Sequence, residues 1–248
     1  MDIAVAGGTG IVGRHVVRIA RERGHQVTSL TRHEGVDLVK GTGLAAALRG
    51  VETVIDVASI QTMHSKKSVD FFMATTENLH REGKAAGVKH HVLLSIVGVN
   101  KAPAGYYAGK MAQEEEVRGG DIPWTILRAT QFHEFVTQVL GRTSLGPVVL
   151  VPRFKTQPVA AAEVAEALVH AAEVGPQRRL PDLGGPKVER LKDMADKYLR
   201  KNGKKRLVVE FTSPGPLWKA MRSGALLPAA GAAVGRQTFD EWLDARES

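Results

Sequence analysis

The spacing of apolar residues along the chain predicts its secondary structure. Short apolar runs bounded by turn residues predict five strands, at 3–6, 26–31, 53–58, 88–95 and 124–128, and three weaker ones at 148–151, 180–183 and 207–211. Helical patterns lie between them, at 11–23, 44–48, 69–86, 107–118, 131–140, 161–173 and 188–201. Strands and helices that take turns are typical of parallel strands joined by helical crossovers. The pattern therefore predicts an α/β fold with a Rossmann-like, doubly wound parallel sheet.

The pattern also bears on the domain organisation. No linker-like break, internal repeat or low-complexity segment interrupts the chain. We therefore predict a single domain over 1–248, in which segments mainly after position 131 form a small C-terminal substrate lid over the carboxyl-terminal edge of the strands.

Glycines follow the first predicted strand and lead into the first predicted helix. Gly7, Gly10 and Gly13 have the spacing G-x-x-G-x-x-G, which lets the chain turn tightly and brings its backbone close to a ligand. Such a turn directs helix N-terminal N–H groups at an anion, normally a pyrophosphate. The alternative is a glycine-rich turn that serves packing alone. The predicted cofactor-binding residues in this turn are Gly7, Gly8, Thr9, Gly10, Ile11, Val12 and Gly13.

The end of the second predicted strand indicates which dinucleotide is bound. A carboxylate here would bind the ribose 2′-hydroxyl of NAD, but Arg32 occupies the position. A guanidinium suits the 2′-phosphate of NADP. We therefore expect NADP(H) to be preferred over NAD(H). The alternative is that Arg32 is a surface arginine and Glu34 takes the part of the acid.

Three residues further along have the chemistry of a carbonyl-reducing site. Tyr106 and Lys110 are four residues apart on one face of a predicted helix, where the ammonium favours the phenolate. Ser95, at the carboxyl end of a strand, can hydrogen-bond a substrate oxygen. In this interpretation Tyr106 donates a proton to the developing alkoxide, Lys110 also holds the cofactor ribose, and Ser95 positions the oxygen.

Several motifs together resemble the atypical short-chain dehydrogenase/reductases of the NmrA-like, NAD(P)-binding group. They are the loop 7–13, Asp37-Leu38, VIDVAS at 54–59, AAGVKHHVLLS at 85–95, the segment 106–110, PWTILRATQF at 123–132 and QTFDEWL at 237–243. The resemblance covers nearly the whole chain. It departs at Ala129, where proline is frequent, and at the isoleucine after Ser95, where a second serine is frequent.

This resemblance implies roles for further positions. Asp37 and Leu38 would lie near the adenine, and Ala58 and Ser59 would line the ribose side of the cofactor. Ala129, Thr130 and Gln131 would contact its nicotinamide end. The group also includes redox sensors that bind NADP without turnover and enzymes without net redox chemistry.

Composition and charge narrow the possible partners. The 248 residues are 43% hydrophobic and 24% charged, which is typical of a globular protein. The net charge is +8, but the densest basic cluster, at 197–206, ends a predicted helix and lacks the interleaved aromatics of a nucleic-acid platform. No segment has the pattern of a secretion signal or a membrane span. The chain has no cysteine, so we expect a cytoplasmic protein. From the charge and the segment patterns we expect a small-molecule substrate and no nucleic-acid or membrane partner. The oligomeric state is left open.

Two histidine motifs partly resemble metal-binding patterns. His133-Glu134 begins an H-E-x-x-H pattern, but position 137 is a threonine and the second ligand is missing. His90 and His91 point to opposite faces of a strand, so one buried and one exposed histidine is expected there. No metal site is predicted.

These observations lead to a functional prediction with alternatives. We expect an NADPH-dependent oxidoreductase that reduces a small carbonyl or quinone by hydride transfer, with a tyrosine as proton donor. The alternatives are an NADP(H)-binding redox sensor or regulatory protein and a non-redox member of the same family, for which Ser95, Tyr106 and Lys110 would be unnecessary.

Overall fold

The first half of the chain alternates strands and helices in the predicted order. The computed structural model describes residues 1–246, without the side chains of 144 and 145. The strands are β1 (Asp2–Ala6), β2 (Gln26–Leu30), β3 (Thr53–Asp56), β4 (His90–Ile96) and β5 (Trp124–Ala129). The helices are α1 (Gly13–Glu22), α2 (Leu44–Ala47), α3 (Ser65–Ala86) and α4 (Tyr106–Gly119), and a 3₁₀ turn spans Arg32–Glu34.

The second half contains shorter elements. Its helices are α5 (Phe135–Thr143), α6 (Ala161–Val174), α7 (Leu191–Lys201), α8 (Pro216–Ser223) and α9 (Phe239–Asp244). Its strands are β6 (Ser144–Leu145), β7 (Val148–Pro152), β8 (Lys155–Thr156), β9 (Arg178–Arg179), β10 (Leu183–Gly184), β11 (Glu189–Arg190), β12 (Leu207–Phe211) and β13 (Ala233–Val234). None of the helices in the described part of the chain combines the length and the apolar character needed to cross a membrane.

The central sheet is parallel and has the order β13-β10-β5-β4-β3-β1-β2, with β9 beside β5. The direction in which strands are added reverses between β1 and β3. In open α/β sheets, ligands bind outside the carboxyl ends of the strands at such a reversal. The predicted α/β, Rossmann-like fold is confirmed.

Both faces of the sheet are covered by helices, because each central strand is apolar on both sides. Ile3 and Val5 of β1 pack into one buried cluster with α1 and α6, whereas Ala4 and Ala6 pack into another with α2 and α3. This double coverage leaves the edge at the carboxyl ends of the strands free for a ligand.

Residues after position 131 build a further buried cluster. Side chains of α5, α7, α8 and α9 pack there around β7 and β12, which are neighbours in a small sheet. Lys197 and Lys201 of α7 pair with Asp240 at 2.8 Å and with Asp244 at 2.7 Å, so part of the basic cluster ties α7 to α9. The single domain with a capping lid stays a prediction.

Several boundaries differ from the prediction. Helix α5 begins at Phe135 rather than at 131, because Phe132 pairs through its backbone with Val159. Helix α9 was missed, although Thr238 and Glu241 form a capping box that the sequence pattern T-x-x-E could have indicated.

The two adjacent histidines of β4 are both buried, so the expectation of one exposed histidine was wrong. His90 hydrogen-bonds Thr125 Oγ1 at 2.8 Å, and His91 hydrogen-bonds His80 of α3 at 3.1 Å on the opposite face. They do lie on opposite faces as expected. The strand is covered on both sides, which is why neither ring reaches solvent.

These histidines make stability depend on pH. Burial lowers the pKa of His80 and of His90 to about 4. Between pH 6.5 and about 4 the unfolded chain therefore binds more protons than the folded one, and acidification favours unfolding. We expect the melting temperature to fall steadily across this window. His90→Gln, which keeps a polar group toward Thr125, should make the decline shallower. A melting temperature that is flat from pH 6.5 to 4.5 would contradict this explanation.

Candidate active site

A cleft of ≈ 920 Å³ lies at the carboxyl ends of the central strands. It is located where the direction of strand addition reverses, between β1 and β3. Loops after β1 to β5 line it, together with residues of α5 and α8. Most of the predicted site residues meet there: Gly7, Thr9, Gly10, Ile11, Val12, Arg32, Asp37, Leu38, Ala58, Ser59, Ser95, Tyr106, Lys110, Ala129, Thr130 and Gln131. Gly8 and Gly13 do not line the cleft.

The glycines of the turn after β1 have different roles. A Cβ at Gly13 would lie 2.1 Å from the carbonyl oxygen of Gly7, so Gly13 permits close packing within the turn. A Cβ at Gly8 would lie 2.0 Å from the Ser29 hydroxyl on β2. At Gly10 the one close atom would be the Gly7 oxygen, at 3.2 Å. Gly10 therefore keeps the cleft side of the turn open.

The start of α1 suits an anion. Its N-cap residue is Val12, and no side chain caps the helix. The free N–H groups of the first turn thus have no side-chain acceptor, and the helix dipole adds positive potential there. Thr9, Gly10 and Ile11 place this turn against the cleft. Open space beside Gly10 and an uncapped helix start fit the pyrophosphate of a dinucleotide.

The far end of the cleft is basic. Arg32 is exposed in the 3₁₀ turn after β2, and Lys40 lines the same end. Asp37 is engaged within its own loop, where its Oδ1 accepts hydrogen bonds from the N–H groups of Val39 at 3.0 Å and Lys40 at 3.1 Å. Glu34, the alternative acid, is not among the residues that line the cleft. Sequence reasoning missed Lys40, a second cation eight residues after Arg32.

Tyr106 begins α4 and presents its hydroxyl to the cleft. The Oη atom lies 3.1 Å from Ser59 Oγ, and the ring packs edge-on against Phe72 at 5.5 Å between centroids. Burial raises the pKa of Tyr106 to about 12, although the hydrogen bond with Ser59 opposes the shift. The phenol is therefore protonated at neutral pH and can act as a donor.

Lys110 lies one turn along the same helix and is buried, with 3% of its surface exposed. Its Nζ donates to the Leu94 carbonyl at 2.6 Å and to Gln113 Oε1, and it sits 4.7 Å from the centroid of the Phe72 ring. Burial lowers the pKa of Lys110 to about 8, against the raising effect of Asp56 and Glu114. Phe72 is thus in contact with both members of the predicted Tyr-Lys pair.

A buried hydrogen-bond chain continues from Lys110 to β3. Gln113 Nε2 donates to Asp56 Oδ2 at 2.9 Å, and Asp56 Oδ1 accepts from the Ala58 N–H at 2.9 Å. Asp56 is completely buried. The chain couples α4 to the loop that carries Ser59. Sequence reasoning did not assign Asp56 or Gln113 a role; the signal was an aspartate that ends an otherwise apolar strand.

Ser95 lines the same cleft as Tyr106, and its predicted role toward a substrate oxygen stays a prediction. It is buried, and its hydroxyl approaches Glu114 without hydrogen-bond geometry. Glu114 also accepts two hydrogen bonds from Arg128, at 2.7 and 2.6 Å. The structure therefore pairs Tyr106 with Ser59, whereas the Ser95 hydroxyl has no hydrogen-bond partner among the described residues.

The nicotinamide end expected from the resemblance is formed by residues after β5. Gln131 Nε2 donates to the hydroxyl of Tyr107 at 3.1 Å, and Thr130 Oγ1 donates to the Gln157 carbonyl at 2.5 Å. Ala129, the last residue of β5, lies beside them on the cleft. The Tyr107 hydroxyl is thus engaged by Gln131, whereas that of Tyr106 is engaged by Ser59.

The chain belongs to a family of NAD(P)H-binding proteins, whose model matches residues 7–174. The resemblance predicted from the sequence motifs is confirmed. Among solved structures, it is similar to a NADPH-dependent quinone oxidoreductase from Escherichia coli, with a TM-score of 0.68 and 18% identity over 98% of each chain. At this identity the likeness shows the fold alone.

Two curated relatives match part of the chain. The (4-alkanoyl-5-oxo-2,5-dihydrofuran-3-yl)methyl phosphate reductase of Streptomyces griseus is 34% identical over 146 residues, which are 52% of this chain and 48% of the relative. A photosystem II assembly factor of Synechocystis is 30% identical over 117 residues, 42% of this chain and 36% of the relative. The matches span less than half of either relative.

Gly10→Val tests whether the turn after β1 holds the dinucleotide. Because the valine side chain would extend into open cleft, we expect the variant to fold and to lose NADP⁺ binding in calorimetric titration. Gly13→Val is the matched comparison: its Cβ would collide with the Gly7 carbonyl, so it should lower the melting temperature instead. NADP⁺ bound by Gly10→Val at the parent affinity would place the dinucleotide elsewhere.

Proposed function

We propose that this protein is an NADPH-dependent oxidoreductase that reduces a small carbonyl or quinone substrate, with Tyr106 as proton donor. The observation that carries the proposal is the pairing of Tyr106 with Ser59 at 3.1 Å, in the same cleft as the glycine turn. The Streptomyces griseus relative is named as a reductase, which supports this class of activity.

The proposed proton transfer depends on the orientation of two hydroxyl groups. Either Ser59 or Tyr106 can donate in their hydrogen bond. When Ser59 donates to the phenol oxygen, the hydrogen of Tyr106 is free to point at a substrate oxygen. Bound NADPH would supply the hydride to the substrate carbon. Tyr106 gives its proton to the oxygen as negative charge develops there, and solvent reprotonates it.

Lys110 and its partners support this transfer. Its ammonium lies one turn along the same helix face from Tyr106 and stabilises the negative charge that develops on the phenol oxygen as the proton leaves. Gln113 and the Leu94 carbonyl hold Nζ in place. Ser59 takes the part that the sequence interpretation gave to Ser95, since it is the hydroxyl in contact with the phenol. Ser95 lines the cleft beside Glu114, and in this scheme its hydroxyl contributes less to proton transfer than that of Ser59.

The preferred cofactor in this proposal is NADP(H). Arg32 and Lys40 both line the adenine end of the cleft, and cations there suit a 2′-phosphate. The start of α1 and the open side of Gly10 hold the pyrophosphate, and Ala129, Thr130 and Gln131 face the nicotinamide. The absence of cysteine fits a reducing compartment, so we place the reaction in the cytoplasm.

A second candidate is an NADP(H)-binding regulatory protein. The similarity to a photosystem II assembly factor favours it. The discriminating experiment offers purified protein NADPH with a panel of quinones, aldehydes and ketones and follows NADPH consumption. Tight NADPH binding without consumption across the panel would favour the regulatory role.

The cofactor preference predicts the effect of Arg32→Ala. A charge-assisted hydrogen bond contributes about 1.5–3 kcal/mol, so NADP⁺ affinity should fall roughly tenfold or more while NAD⁺ affinity stays unchanged. Calorimetric titration of both cofactors measures this. Arg49→Ala, an exposed arginine outside the cleft, is the control and should leave both affinities unaltered. An unchanged NADP⁺ preference in Arg32→Ala would refute the assignment.

The proton-transfer scheme predicts graded effects on turnover. Tyr106→Phe should lower kcat by ~10²- to 10⁴-fold, because it removes the acid but keeps the ring on Phe72. Ser59→Ala should lower it less, and Ser95→Ala least of the three. The matched variant Tyr107→Phe should be mild, since Gln131 holds that hydroxyl.

NADPH affinity, measured by titration in the same series, should barely change in Tyr106→Phe, Ser95→Ala and Tyr107→Phe. Parent turnover in Tyr106→Phe would exclude the tyrosine as donor. A larger loss in Ser95→Ala than in Ser59→Ala would restore the interpretation made from the sequence.

A further inference from the structure

One face of helix α5 lines the cleft, and the side chains on this face form a stripe that changes from apolar to cationic. Phe135, Gln138 and Arg142 are spaced i, i+3, i+7, so they share one helix face, and all three line the cleft. The stripe runs from an aromatic ring, through an amide, to a guanidinium. It therefore changes from apolar to cationic with distance along the helix.

The wall around the apolar part of the stripe is apolar too. Phe154 packs edge-on against Phe135, with 6.1 Å between ring centroids, and Leu217 and Met221 of α8 line the same region. Ile96, at the end of β4, packs against the buried cluster that contains these side chains. A ligand that lies between α5 and α8 thus contacts apolar side chains near Phe135 and reaches Arg142 at the far end of α5.

Arg142 has no carboxylate partner within the described residues 1–246. Its side chain is exposed, whereas Arg128 and Arg118 both pair with Glu114. The last turn of a helix favours a cation on any face. That preference does not explain why the arginine continues the stripe that lines the cleft.

The charge along the cleft is uneven. Of the described residues that line it, the one acid is Asp37, at the adenine end, where it accepts two backbone N–H groups. Within the described residues, no acid lines the cleft along α5 and α8, so no lining carboxylate offsets the charge of Arg142 there. An anionic group is the natural partner of such a guanidinium.

The length of the stripe sets the size of the ligand. Seven residues of helix rise about 10 Å from the level of Phe135 to that of Arg142. Gln131, whose amide donates to the Tyr107 hydroxyl, lies four residues before α5, and Tyr107 packs in the same buried cluster as Val136 of that helix. A substrate with its reducible carbonyl near Tyr106 can therefore extend an apolar body along α5 and end at Arg142.

We propose that Arg142 binds the anionic group, a phosphate or a carboxylate, of an elongated substrate whose apolar body lies between α5 and α8. The expectation that this substrate carries a reducible carbonyl rests on the proposed reductase function. The anion subsite itself can be tested by binding alone.

The test uses three six-carbon probes of similar length: hexyl phosphate, hexanoate and neutral hexanol. Each is titrated calorimetrically into the 248-residue chain saturated with NADP⁺, which keeps the probes out of the pyrophosphate site. The titrations are repeated without NADP⁺. The variants are Arg142→Gln and, as a control with the same loss of charge outside the cleft, Arg49→Gln.

We expect both anionic probes to bind the parent protein more tightly than hexanol. Arg142→Gln should weaken the binding of the anionic probes roughly tenfold to a hundredfold and leave hexanol unchanged. Arg49→Gln should match the parent protein for all three. The tighter of the two anionic probes identifies the group as phosphate-like or carboxylate-like.

Either of two results would contradict the proposed anion subsite. The anionic probes could bind no better than hexanol, or Arg142→Gln and Arg49→Gln could have equal effects on the binding of the anionic probes. NADP⁺ affinity is measured in the same samples and should not differ between the variants. If NADP⁺ itself fails to bind the parent protein, the proposed function fails. The titrations without NADP⁺ then still decide whether Arg142 holds an anion.

Discussion

The site depends on how the fold accommodates one buried charge, the ammonium of Lys110. A buried ammonium is unfavourable unless it is hydrogen-bonded and near a negative charge. Here it donates to the Leu94 carbonyl at the end of β4 and to Gln113, which in turn binds Asp56 at the end of β3. Two strand ends and α4 are thereby fixed to one another where the cleft begins.

The same hydrogen-bond chain determines where the reactive hydroxyl lies. Asp56 also accepts from the Ala58 N–H, so the loop that carries Ser59 is held by the carboxylate that faces Lys110 through Gln113. Ser59 hydrogen-bonds Tyr106, and the Phe72 ring contacts both Tyr106 and Lys110. The cleft extends from this point in both directions, toward Arg32 along the dinucleotide path and toward Arg142 along α5.

Local patterns predicted much of this arrangement. The strand, glycine turn and helix of residues 2–22 were readable because their signals are contiguous, and the positions of Tyr106 and Lys110 follow from helix periodicity. The partner of Tyr106 was not predictable, since Ser59 lies 47 residues away and meets it only through the packing of α4 on the loop after β3. The two-residue strand β9 exists because β5 offers free backbone groups beside it, which no local pattern records.

A crystal structure of the 248-residue chain with NADP⁺ and hexyl phosphate tests the central claim most directly. The account predicts that the nicotinamide ring lies beside Tyr106, with Ser59 still bound to the phenol. The space between the nicotinamide ring and Tyr106 should admit one substrate oxygen within hydrogen-bond distance of Tyr106 Oη, roughly 2.6–3.2 Å. A nicotinamide ring out of reach of Tyr106, or a Ser59 hydroxyl turned away from it, would contradict the account.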